Sequence, residues 1–371
     1  MEGRADPGDR LIVETGSHGD EAELRRLLRE LPMPGWVSVA FEREPHFFHE
    51  SVIQGDRHDV MVARVGERLV GFATRSVRWR WVNGQPARVP YISALRVERE
   101  WRGGKATRLG MDLLRSLRKP GETPYCITTI VSDNKAAQRA LREHRPGYPR
   151  FRRRGGLVTL LIPLWGDRRL PGGAQTRAAT PGDLADIAFC LQRSSVHRQF
   201  APIWRESDLR DPGLMLGLKP SDFTVIDRDG RLSAVVAIWD QRAFKQSVVR
   251  GYAPWLRAAR PLYNLLAPAV NVPRLPPVGQ PIRSAWLSHL AVEQDDLGET
   301  LAVICAAAAR ARAAGLESLM LGLAASDPRV EPLRRALKPI AYHSAVYTVD
   351  WRDGAADTLD DRPDNPEVAL L

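Results

Sequence analysis

Apolar and polar residues along this chain fall into short runs, cut apart by Gly, Pro and Asn turns. Residues 21–31 form a charged amphipathic stretch that reads as a helix started by Asp20. Pro34-Gly35 breaks it, and residues 37–54 read as helical or irregular. Residues 59–65 and 69–82 read as strands joined by Gly66-Glu67-Arg68. Asn83-Gly84 is the strongest short-range hairpin signal in the chain, with 88–97 as the return strand. A helix at 107–117, a strand at 125–131, a helix at 134–143 and a strand at 156–163 follow.

The order then restarts. Residues 165–176 are polar and rich in Gly and Pro, as a linker is. Thr180-Pro181-Gly182-Asp183 opens a helix, and strands at 223–227 and 232–239 flank the turn Asp229-Gly230. A strand at 284–292, an alanine-rich helix at 300–314 and strands at 317–323 and 346–350 complete the series. The repetition is visible in letters: Ser93-Ala94-Leu95-Arg96-Val97-Glu98 is answered by Ser288-His289-Leu290-Ala291-Val292-Glu293, and Ser132-Asp133 by Ser326-Asp327. Echoes at one offset predict a duplication. The expected organisation is a loose start at 1–19, a first domain at 20–164, a linker at 165–176 and a second domain at 177–351. An insertion at 242–281, helical over 252–266 and proline-rich over 273–281, has no counterpart in the first half. An acidic, mobile tail at 352–371 closes the chain.

Composition narrows the class. With 371 residues and 44% apolar content, the chain has room for two domains of ordinary size. No apolar run reaches the length of a membrane span, and the polar start is unlike a secretory signal. Cys126, Cys190 and Cys305 lack any paired spacing and read as reduced core thiols. Together these features predict a cytoplasmic protein without a membrane partner. The net charge of +10 is compatible with a polyanion, but only 6 of the 54 basic residues are lysine. That bias fits genome composition, so nucleic acid is not the expected partner.

The order helix, hairpin, strand, loop, helix, strand, helix, strand predicts an α+β fold with a mixed sheet. It resembles the GNAT superfamily of acyl-CoA-dependent N-acyltransferases, closely over 20–164 and more distantly over 177–351. The resemblance implies two such domains in tandem, each a mixed, mostly antiparallel sheet flanked by helices. In that superfamily the strand before the central helix holds the pantetheine arm; here it is Leu95-Arg96-Val97. The next loop, usually Arg-x-x-Gly-x-Gly, wraps the pyrophosphate at a helix N-terminus. Here it is Arg102-Gly103-Gly104-Lys105-Ala106-Thr107, with Lys105 and Thr107 where glycines are expected. Asn134-Lys135-Ala136-Ala137 resembles the family's Asn-x-x-Ala run. The equivalent loop of the second half, Gln294-Asp295-Asp296-Leu297-Gly298-Glu299, carries three carboxylates and no cation. The second copy therefore reads as degenerate, shaping or covering the first site. Acetyl-CoA or another acyl-CoA is the implied co-substrate, with no metal, because zinc-ligand spacing is absent.

The family's usual acid and base positions depart from pattern. Tyr91 stands where a Glu is common, and Leu141 where a Tyr is common. Tyr91 reads either as a sheet residue or as a catalytic one. Residues 42–49 lie where the family lines its acceptor pocket and offer Glu42, Glu44, His46 and Phe47, with Glu44 a candidate base. The alternative for this stretch is a solvated helix face with its aromatics turned inward. Ser93 and Asp133 are further acceptor candidates, Asp133 equally a helix cap, and His289 is either structural or placed at the interface. Arginines 142, 145, 150 and 152–154 form either a solvated run or an attractor for anions. The expected acceptor is a small-molecule or peptide amine. An aminoacyl-tRNA or carrier-protein donor, or a non-catalytic acyl-CoA sensor, are the other readings.

Overall fold

The computed structural model describes residues 10–102, 104–134, 137–138, 147–164, 175–270, 272–351 and 354–371. In chain order, the first half runs β1 (Leu11–Thr15), α1 (Glu21–Glu30), β2 (Val37–Glu42), β3 (Arg57–Val65), β4 (Arg68–Val82), β5 (Gln85–Val97), α2 (Gly104–Ser116), β6 (Cys126–Val131) and β7 (Arg150–Pro163). The second half runs β8 (Thr176–Ala178), α3 (Leu184–Ser195), α4 (Glu206–Arg210), β9 (Phe223–Arg228), β10 (Arg231–Trp239), β11 (Gln246–Tyr252), α5 (Pro254–Val270), β12 (Ser284–Val292), α6 (Leu297–Ala313), β13 (Ser318–Ala324), α7 (Val330–Leu337) and β14 (Ile340–Asp350).

Twelve strands form one sheet in the order β1-β3-β4-β5-β6-β14-β7-β13-β12-β10-β9-β8. The order reads alike from either edge, with its centre between β14 and β7. Each half's closing strand sits beyond that centre: β6 pairs with β14 (Val131↔Ser344 to Cys126↔Val349), and β13 with β7 (Ser318↔Pro163 to Ala324↔Leu157). The expected α+β fold with a mixed, mostly antiparallel sheet is present, and the sheets of the two halves are continuous. Among the described strands only β5–β6 and β12–β13 run parallel. The apolar sides of α1 (Leu24, Leu27, Leu28) and of α6 (Val303, Ile304, Ala307, Ala311) pack onto the sheet.

β4 is unusual for a core strand. Arg75, Arg78 and Arg80 are all buried. Arg75 meets Asp59 and Glu122. Arg80 donates to the carbonyls of Phe200 and Pro366, both at 2.8 Å, and Arg78 lies over the Trp204 ring. Charges this deep persist because each finds acceptors or a π face, here partly from the second half. Burial pushes the pKa of Arg78 down to about 10 and that of Arg80 to about 9.

Three expectations need correction. The start is not loose throughout, since β1 pairs along β3 (Leu11↔Val65 to Thr15↔Met61). Residues 37–54 are not a helix but β2 followed by the 3-10 stretch Phe47–Gln54. β2 pairs with β11 of the insertion in a separate ribbon (Glu42↔Gln246 to Val37↔Tyr252), so the insertion binds the first half. The tail is not mobile: Val368, Ala369 and Leu370 are buried, and Asp357 and Asp364 reach the arginines of β7. The expected helix at 134–143 lies mostly outside the described residues.

Candidate functional site

β5 carries an irregularity at the echo motif. Opposite β4, its register passes from Thr74↔Ser93 to Phe72↔Arg96, so β5 holds one extra residue there. Ala94 takes up the bulge with a φ of 53°. β12 repeats this against β10: Ala237↔Ser288 is followed by Val235↔Ala291, and His289 has a φ of 54°. A left-handed residue that is not glycine at both copies of one bulge is a shared device, not chance. Beyond the bulge β5 leaves its parallel neighbour. Their pairing ends at Ile92↔Thr128, although β5 continues to Val97 and β6 to Val131. From Ser93 to Val97, β5 is therefore unpaired on the side of β6, and this opening is the candidate cleft.

The cleft leads towards the N-terminus of α2. Gly104, with a φ of 56°, opens the helix, so Lys105, Ala106 and Thr107 lie in its first turn and not in a loop. Ala106 is buried against the sheet, which explains a small residue there. Lys105 and Arg102 are exposed, and Arg102 Nε donates to the Val97 carbonyl at 2.9 Å. Gly104, Lys105, Arg108, Leu109 and Tyr148 border a cavity of about 420 Å³. Gly103 lies outside the described residues. Leu95 is exposed at the cleft, and Arg96 is half-buried beside it, pushed down to about 10 by burial and by Arg43. Asn134 Oδ1 accepts from Ala137 N at 3.1 Å, a capping bond that places this pair beside the end of β6. Asp133 is exposed.

The remaining sequence candidates separate. Ser93 Oγ and Thr74 Oγ1 are 2.8 Å apart in the bulge wall. Tyr91 is buried, its hydroxyl 2.7 Å from Thr129 Oγ1, and burial pushes its pKa to about 12. Glu44 is gripped by Arg25 and Arg29 of α1, and His46 is exposed with Nδ1 3.1 Å from Glu21, so neither joins Tyr91. Phe47 turns inward, its ring against Phe72. Glu42 is buried against Arg250 of β11, at 2.6 Å. His289 is enclosed by Trp204, Phe223 and Trp239 and held neutral, its pKa pushed to about 3 by burial and by Arg78.

A polar cluster between the halves was not legible in the sequence. Glu50 is buried against Arg43, accepts from Gln54 Nε2 at 2.8 Å and lies 3.4 Å from Lys245 Nζ. Burial alone would raise its pKa, but Arg43 and Lys245 hold it down to about 2. Lys245 also donates to the Leu371 carbonyl at 2.8 Å, and Gln241 to that of Ala369 at 3.0 Å. His58 is kept neutral nearby, with a pKa of about 4 owing to burial and Arg43. The cluster draws on residues roughly two hundred positions apart, which no local pattern announces.

The second cleft has a different content. β12 and β13 pair from Ser284↔Ser318 to Leu287↔Leu321 and then diverge as β5 and β6 do. Residues 368–370 lie against both strands. His289 N donates to Glu367 Oε2 at 3.2 Å. A Cβ on Gly322 would stand 2.1 Å from Val368 Cγ2, so glycine is what lets the tail in. Asp295 of the acidic loop is paired from within, since Arg198 holds Asp295 at 2.6 Å and Asp327 at 3.1 Å, and Arg329 holds them at 3.0 and 2.7 Å.

No family model and no curated protein matches the sequence. Solved structures do match the fold. N-myristoyltransferase of Saccharomyces cerevisiae with bound myristoyl-CoA is 12% identical, with 98% of this chain and 86% of that one covered and a TM-score of 0.62. A GCN5-related glucosamine N-acetyltransferase region of a fungal multi-domain β-N-acetylglucosaminidase is 13% identical, over 92% of this chain and 38% of that one, with a TM-score of 0.59. A GCN5-related N-acetyltransferase from Sphaerobacter thermophilus is 13% identical, over 92% and 95%, with a TM-score of 0.53. The chain thus has the fold of these acyltransferases over nearly its whole length.

Proposed function

We propose that this protein is an acyl-CoA-dependent N-acyltransferase whose coenzyme site is the first cleft, with the two halves a tandem duplication and the second lacking a coenzyme site. The observation that carries the reading is the bulged, unpaired stretch of β5 beside the cationic start of α2. An unpaired strand edge offers amide groups in strand-like spacing to an extended, amide-bearing pantetheine arm. The helix N-terminus with Arg102, Lys105 and Arg108 suits a pyrophosphate, by partial positive charge and by charged donors.

The chemistry follows from the same residues. The acceptor nitrogen attacks the thioester carbonyl, a C–N bond forms, the C–S bond breaks, and the thiolate takes up a proton. Tyr91 stays protonated at neutral pH, so it is no base, and its raised pKa makes it a weak acid too; the proton that the nitrogen sheds is the one the thiolate takes up. Glu44 is occupied by arginines, so the amine must shed its proton largely unaided. An α-amino group, with an ordinary pKa of about 7.7–8.0, does so far more readily than a lysine side chain. We therefore assign a small-molecule or peptide acceptor presenting an α-amino group, approached between the halves, and acetyl-CoA as the first donor to test.

Titration calorimetry with coenzyme A should give about one site per chain. A screen of amino acids and peptides with acetyl-CoA, read as free thiol, should then show acceptor-dependent release. Absence of coenzyme binding would sink the proposal. Binding without thiol release for any amine would favour a non-catalytic acyl-CoA sensor, the reading that Glu44's arginine grip supports.

A further inference from the structure

The insertion carries a helix with its polarity reversed. Along α5 the inward positions are Leu256, Arg260, Tyr263, Asn264 and Ala267, whereas Trp255, Leu262, Leu265, Leu266 and Val270 are exposed. The polar inward groups hold the return segment: Arg260 Nε and Asn264 Nδ2 donate to the Leu275 carbonyl, Leu275 N donates back to Asn264 Oδ1, and the Tyr252 hydroxyl donates to the Pro276 carbonyl. An ordinary surface helix turns its apolar face to the core. Here half-buried polar groups staple the helix down and the apolar face is left outside.

The patch is concentrated. Six of the fourteen exposed large apolar residues among the described ones lie on α5 or against it: Trp36, Trp255, Leu262, Leu265, Leu266 and Val270. Trp36 meets Trp255 edge to face at 5.5 Å, so the patch bridges both halves. Its charge is one-sided. From residue 241 to 292 the chain has no carboxylate; Arg242, Lys245 and Arg250 pair with Asp240, Glu50 and Glu42 outside that stretch, and Arg257, Arg274 and Arg283 are exposed.

We propose that α5 and Trp36 form a docking surface for an anionic lipid bilayer, with α5 lying in the headgroup plane. Leucines at adjacent exposed positions, two tryptophans at one end and exposed arginines on a stretch of chain without carboxylates are the features such a surface selects. No helix of the described chain is long and apolar enough to cross a membrane, so the contact is peripheral. The inference stands apart from the acyl-transfer reading. It amends the expectation of no membrane partner, which rested on spanning segments alone.

The test is co-sedimentation of the full chain with vesicles of phosphatidylcholine alone or with about 30% phosphatidylglycerol. Binding should be at least about tenfold stronger to the anionic vesicles and should weaken as salt rises to about 1 M. Leu262→Glu with Leu265→Glu should abolish it, while Phe189→Glu, at an exposed position on α3, should not. In the unaltered protein, lipids brominated on the acyl chain should quench part of the tryptophan emission, and Trp36→Phe with Trp255→Phe should remove that part. Equal binding to both vesicle types, no binding, or a concentration-dependent dimer lost in the leucine variant would each overturn the proposal, the last by making the face a self-association surface.

Discussion

The two clefts of this molecule share a skeleton and differ in what fills it. Both open where a parallel pair diverges, and both have a one-residue bulge at a left-handed position, Ala94 in one and His289 in the other. The first is followed by Arg102 and Lys105 at a helix start. The second is followed by Asp295 and Asp296, and its strands embrace residues 368–370. The comparison teaches that backbone geometry makes such a cleft and side-chain charge decides what it accepts. In the second, the opening between the strands is a socket for the chain itself.

The largest effect should come from emptying that socket. Removing residues 367–371 takes buried Val368, Ala369 and Leu370 away and should cost about 3 kcal/mol or more in chemical denaturation. Coenzyme stoichiometry should stay near one even so, because the acidic loop persists; a second site would show that the tail alone, not charge, silences the second half. Next, Lys105→Glu should weaken coenzyme A binding by about 1–3 kcal/mol in calorimetry. Unchanged affinity would remove the cationic helix start from the site. Third, Asp295→Asn loosens Arg198 and Arg329 and should lower the denaturation midpoint by the equivalent of about 1 kcal/mol, the pair being partly exposed.

The smallest effect concerns pH. Burial raises Asp364 to about 6 and Glu367 to about 7. Both bind protons more tightly folded than unfolded, so their stabilisation is complete below about pH 4 and fades as pH rises through 6 to 7. His58 and His289 act in the opposite sense: held neutral, they stabilise fully above about 6.5 and lose that contribution as pH falls toward their depressed values. The whole protein shows the sum, so the informative quantity is a difference. Asp364→Asn with Glu367→Gln should gain stability relative to the parent between pH 5 and 7.5, by on the order of 1 kcal/mol. A flat difference would mean the tail carboxyls are solvated.

What was legible follows from range. The β4–β5 hairpin was announced by Asn83-Gly84, and the Ser-x-Leu-x-Val-Glu echo marked the two strands that match, though not the bulge they share. β2 was misread because its partner β11 lies about two hundred residues away, and six residues carry little period of their own. The tail was misread because its acidic, proline-containing composition outweighs its last four residues, Val368-Ala369-Leu370-Leu371. At the proposed site, Arg96, Arg102, Lys105, Asn134 and Ala137 were named from a family pattern. Glu50, Arg43 and Lys245 were missed because each alone is an ordinary surface letter, and only the fold brings them together.

The exchange of closing strands has a consequence for how the molecule is made. During synthesis β6 leaves the ribosome more than two hundred residues ahead of β14, the strand that will cover its edge. The first half therefore cannot finish its sheet as it emerges, although domains ordinarily complete themselves in order of synthesis. Contacts so distant along the chain also slow folding, since loop closure precedes any gain from pairing. Until then an open strand edge waits, and such edges invite pairing with other chains. For the same reason neither half is a portable module. Cutting the chain between Leu164 and Thr176 would separate each sheet from its last strand, so the two halves are obligate companions in folding.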